Sequence, residues 1–229
     1  MADDGIDGAE RPSLAADDGG RRTGETMPFF APSVTSETDA AFSFLAHQCA
    51  QLRVTALGLS AEQARRAPTA SPLSIAGLLA HVAQVVNGWL LQVKEPERVI
   101  EFSDFPAINA ELGLDGMFDG TAVPDRPLED VVAVFDKAVA EIEVAHRTVE
   151  DRGISLRTEV SVPSNPWMPA DFVMTVGWIL WHLATEVARH AGHADIIRES
   201  IDGAIAYQLN AEADGEAWPP EHAETVEGS

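Results

Sequence analysis

Apolar residues recur three and four positions apart through four long stretches of this chain, and they alternate almost nowhere. That period is helical, and it argues against a sheet-based core. The first stretch covers about residues 37–57, ETDAAFSFLAHQCAQLRVTAL, with Thr35, Ser36 or Thr38 placed to cap it. A short helix follows at SAEQARRA, residues 60–67, where Ser60 and Gln63 have capping-box spacing. The second long helix begins near Ser74 and runs to about residue 94, where Pro96 stops it. The third starts at Pro127, carries acids in its first turn and ends before Gly153. The fourth runs from about 172 to 201 and ends at Asp202-Gly203. Residues 154–162, ISLRTEVSV, alternate and predict a short strand or an extended arm.

The fold expected is therefore all-α. About 30 residues separate the second and third long helices, too many for a tight turn, so the pattern predicts a four-helix bundle with one long crossover. The bundle is expected over residues 36–206. Acidic tails of disordered composition flank it at 1–35 and 207–229.

Net charge is −22, from 37 acids and 15 bases, and both tails are acidic. Nucleic acids and anionic membranes would be repelled by such a chain, so neither is an expected partner. The amino terminus opens acidic and lacks a basic stretch followed by an apolar one, which argues against a secretory signal. No stretch gives about 18 uncharged apolar residues in a row on this reading. A cytoplasmic protein is the expectation. The one cysteine, Cys49, lies inside an apolar helical run and predicts a buried core thiol.

The chemistry-bearing residues concentrate in WHLATEVARHAGHA, residues 181–194. At 100° per residue, His190 falls in the middle of the apolar stripe formed by Ile179, Leu183, Val187, Ala194 and Ile197. Glu186 lies about 40° to one side, with His193 about 60° and His182 about 80° the same way. A carboxylate on a core stripe needs a partner. An ion pair to another helix would serve. So would a metal ion, because residues four apart can turn both ligands to one point. The second helix offers His81 on the flank of its own stripe, beside Gly88 and Gln92. Two imidazoles and a carboxylate would form a site with three protein ligands and open positions, the pattern of a catalytic metal. His193 stands one turn beyond His190, near enough to orient a ligand or accept a proton. His47, His146, His182 and His222 predict ordinary core or surface roles.

Two strings, LSIAGLLAHVAQVVNGWL (73–90) and WILWHLATEVARHAGHADIIRESIDG (178–203), resemble the DinB-like four-helix metalloprotein superfamily. Within it the match is to the mycothiol transferase-like branch, over roughly residues 37–205. The resemblance implies a left-handed bundle with a long crossover, often dimeric, that holds a divalent metal on His81, Glu186 and His190. Many superfamily members place His where this chain has Glu186. Mycothiol-dependent maleylpyruvate isomerases resemble this chain in having Glu there. Those isomerases carry a further carboxy-terminal domain that this sequence lacks, which favours thiol transfer over isomerisation.

The expected activity is metal-dependent thiol S-transfer. A low-molecular-weight thiol, mycothiol by resemblance, would bind the metal as thiolate and attack a small electrophile. Zinc suits this ligand set, with manganese, iron and nickel open. His193 is the candidate proton relay, and Arg189 and Arg198 are candidates for holding an anionic group. The alternatives are a metal-dependent hydrolase of small molecules, or a non-catalytic protein that binds a metal or small ligand. A homodimer is a further expectation, with Trp178 and Trp181 as either a subunit contact or packing beneath the arm at 154–172.

Overall fold

The computed structural model describes residues 30–114, 121–163, 169 and 171–219. Four long helices form the body: α1 (Glu37–Val54), α3 (Ile75–Lys94), α5 (Leu128–Asp151) and α6 (Val176–Asp202). Between them lie the one-turn α2 (Ala61–Ala64) and α4 (Phe105–Glu111), and α7 (Ala206–Ala213) follows α6. The fold is the all-α bundle expected.

Helix starts are set by local chemistry. Ser36, Ser74 and Thr175 each accept a hydrogen bond from a first-turn backbone N–H. Ser60 and Gln63 complete a reciprocal capping box on α2. Gly203, at φ 82°, closes α6 in a left-handed conformation that suits glycine.

α1 packs on α6 and α3 on α5, with α6 also against α3 and α1 also against α5. The cyclic order is thus α1–α6–α3–α5. Leu45, Leu52, Leu79, Phe135, Leu180 and Leu183 fill the centre. α3 lacks any charged residue before Lys94, and by length and composition it could cross a membrane. Its apolar surface instead faces the core, where most of its residues are buried. That full burial fixes what α3 can present: its polar side chains must point into the bundle or its seams.

The crossover from α3 to α5 contains a 3₁₀ turn at Phe102–Asp104 and then α4, which the sequence pattern did not foretell. The arm at 154–162 makes a single isolated bridge, Glu159 to Thr175, in place of a strand. Its docking explains why α6 starts at Val176 and not near 172. Val160 N–H donates to Met174 O and Val176 N–H to Thr158 O, so the residues before Thr175 are committed to the arm.

Residues 206–213 are helical, not tail-like: Leu209 is fully buried beside Val54, and Asn210 exchanges side-chain hydrogen bonds with Gln51 of α1. One apolar anchor and one amide pair are too short a pattern to show as periodicity. The amino-terminal tail to residue 29 and the segment from 220, with His222, lie outside the described residues.

Candidate metal centre

α3 and α6 face each other across a seam, and three ligand-type side chains meet in it. His81 comes from α3, Glu186 and His190 from successive turns of α6. One potential ligand atom from each lies within 4.8 Å of the other two. Glu186 Oε1 is 3.1 Å from His190 Nε2 and 4.0 Å from His81 Nε2. The two imidazoles meet edge to face at a centroid separation of 4.8 Å.

The donor set fits a divalent cation. Two neutral imidazoles and one carboxylate supply nitrogen and oxygen donors on three sides and a single compensating negative charge. An ion bonded at about 2.1 Å brings neighbouring donor atoms to roughly 3–3.5 Å. The side chains need to shift by an ångström or so at most.

Burial differs from the helical-wheel reading in an instructive way. His81 is the deepest of the three, with 10 % of its side chain exposed, against 20 % for His190 and 30 % for Glu186. Glu186 therefore keeps contact with water, and desolvation alone does not force a partner on it. Convergence of three donors, not the cost of a buried charge, is what marks the site.

The neighbours are less expected. His193 Nε2 lies 3.2 Å from Ser71 Oγ, and Ser71 Oγ lies 3.2 Å from Thr69 Oγ1. Both hydroxyls belong to the segment before α3, 122 residues from His193 in the case of Ser71. No local pattern could have paired them. On the other side of the centre, His182 stacks on Trp178 at 4.9 Å, and Trp89 of α3 meets both edge-on. Phe172 of the arm closes this cluster against Trp178, so that tryptophan does pack beneath the arm. Trp181 remains exposed.

Arg198 has other work than the anion binding expected of it. It is 5 % exposed, and its guanidinium donates to Thr55 O at 2.8 Å, Leu57 O at 2.6 Å and Asp202 at 3.0 Å. It ties the end of α1 to the end of α6, which is why α1 stops at Val54 and not at residue 57. Although burial pushes the Asp202 carboxyl up, the hydrogen bonds from Arg198 and Ala204 N–H hold it below the ordinary range. Arg189 is exposed.

Two further groups bear on the chemistry. Burial pushes the Cys49 thiol up to about 12, so it stays protonated and inert. Burial, with Glu199 one turn away, raises the Asp195 carboxyl to about 6.

Neither a curated protein nor a solved structure matches the chain. Residues 40–203 match the family model for mycothiol-S-transferase. That match covers all four long helices but for the first three residues of α1, and every residue of the candidate centre. The chain belongs to the mycothiol-S-transferase family.

Proposed function

We propose that this protein is a metal-dependent thiol S-transferase. It would join a low-molecular-weight thiol, mycothiol by family, to an electrophilic small molecule. The observation that supports this most is the convergence of His81, Glu186 and His190 within 4.8 Å in a chain of this family. The three side chains would hold a divalent cation, zinc being the best fit to two imidazoles, a carboxylate and sulfur. When bound, the cation supplies Lewis acidity that stabilises a coordinating thiol as its thiolate.

The chain's own residues do the rest. Glu186 provides the one negative charge, so the loaded centre keeps a net positive charge and favours an anionic sulfur. His81, buried on a rigid core helix, fixes the position of the centre relative to α6. The thiol comes from outside, because Cys49, the one cysteine, is sealed in the core. The S–H bond breaks with its proton passing to His193. Sulfur bonds to the electrophilic carbon, and the leaving group departs with the bonding electrons. The partners are small molecules, and the location is cytoplasmic.

Zinc-loaded protein mixed with mycothiol and a thiol-reactive fluorogenic electrophile tests the reading. A rate above the uncatalysed reaction, with a preference for one thiol, is expected. No enhancement with any of mycothiol, bacillithiol, glutathione or cysteine would overturn it.

A further inference from the structure

We infer that Ser71 is a positioning residue for His193, holding its ring and fixing which nitrogen carries the hydrogen. The choice of tautomer and its kinetic consequence rest on the transferase reading; the contact of Ser71 with the ring does not.

His193 stands one helical turn past His190 on α6 and is half-buried. Its Nε2 is 3.2 Å from Ser71 Oγ, which is itself 3.2 Å from Thr69 Oγ1. The three groups form a chain, and a chain of this kind has two polarities. In one, Thr69 donates to Ser71 and Ser71 donates to Nε2, leaving the hydrogen on Nδ1. In the other, Nε2–H donates to Ser71 and Ser71 donates to Thr69, leaving a lone pair on Nδ1. Only the second leaves a ring lone pair free for a proton from outside, because in the first the Nε2 lone pair is taken by the serine O–H and Nδ1 carries the hydrogen. A neutral imidazole that must accept a proton elsewhere needs its other nitrogen protonated and anchored.

Local chemistry favours the arrangement. Ser71 lies between exposed Ala70 and exposed Pro72, while Thr69 and Ser71 themselves turn inward and are half-buried. Two residues later Leu73 packs on the core, and Ser74 caps α3 at full burial. The segment is thus pinned at its end by the helix that carries His81, so the hydroxyls are held in register with the metal centre. Loss of the partner that orients a metal-ligating histidine costs about 10- to 100-fold, and a loss of that order is expected for the partner of His193.

The test uses zinc-loaded wild-type protein and the variants Ser71→Ala, Ser71→Thr, His193→Ala and the Ser71→Ala/His193→Ala double. Long-range nitrogen–proton NMR of the imidazoles reads the tautomer without any turnover. Wild type is expected to show His193 as the single Nε2–H form, Ser71→Thr to keep it, and Ser71→Ala to show a mixture. In the transfer assay, Ser71→Ala is expected to lower kcat by about 10- to 100-fold with KM for the thiol unchanged. Ser71→Thr should restore most of it, and the double variant should be no slower than His193→Ala. An Nδ1–H tautomer in wild type, or a tautomer unmoved by Ser71→Ala, would overturn the inference. So would additive losses in the double variant. If wild type transfers no thiol at all, the functional reading fails, while the NMR result still decides the role of Ser71.

Discussion

In the proposed metal centre Glu186 would contribute a charge as well as a donor atom, and the two can be separated. Glu186→Gln keeps the shape and one carbonyl oxygen but removes the charge that offsets a dication. Zinc affinity is expected to fall at least as far as the about 10- to 100-fold typical for loss of an outer partner. Competition against a chromophoric chelator measures it, and unchanged affinity would remove Glu186 from the ligand set. Cys49 offers the opposite case, a reactive group kept silent. With its thiol pushed to about 12 and fully buried, it should resist a chromogenic disulfide reagent until the protein unfolds. Cys49→Ala is expected to retain full transferase activity; loss of activity with the fold intact would mean an internal thiol takes part.

At the level of elements, α6 is where packing, electrostatics and chemistry compete. A Cβ at Gly177 would stand 2.9 Å from Leu156 O and 3.2 Å from Leu156 Cβ, where the arm crosses the first turn of α6. Gly177→Ala is expected to destabilise the fold by about 1–3 kcal/mol, read as a fall in Tm of several degrees. Arg198→Ala would strand Thr55 O, Leu57 O and Asp202. A loss of about 2–4 kcal/mol with zinc content unchanged is expected, and weakened thiol binding without destabilisation would return Arg198 to the site. Asp195 sets a pH dependence. Its carboxyl sits at about 6 in the fold against an ordinary 3.8, so between those values the folded state binds the extra proton. Stability therefore falls as pH rises from about 4 to 6 and levels off above. Asp195→Asn should flatten that slope in denaturation curves taken across the range. These helices were legible in the sequence because period and caps are local: Ser60, Ser74 and Gly203 act where they stand. Their exact ends were not, because the α1 end is set by Arg198 about 140 positions away and the α6 start by the arm. The convergence of His81, Glu186 and His190 was legible where the pairing of His193 with Ser71 was not. Glu186 and His190 advertise themselves by spacing, while a lone serine in a turn has no periodicity to betray its partner.

Taken as a whole, the molecule sets its candidate metal ligands across a seam between two of its four long helices. α3 cannot move without disturbing a core that buries nearly all of it, and α6 is held at one end by the arm and at the other by Arg198. Filling the centre links these helices, so a bound ion should stabilise the native state in proportion to its occupancy. The net charge of −22 raises the local concentration of any cation, but it does so diffusely and in a way that salt screens. A true centre must therefore be distinguished from loose attraction to acidic residues by stoichiometry and by its dependence on single ligands. The most direct measurement is zinc content after loading and desalting in 0.15 M salt, paired with thermal unfolding, for wild type, His81→Ala and His190→Ala. Wild type is expected to retain about one ion per chain and to unfold at higher temperature with zinc than without. Each variant should retain essentially none and show no such rise. Equal zinc in wild type and variants, or none in any of them, would contradict a metal centre at His81, Glu186 and His190.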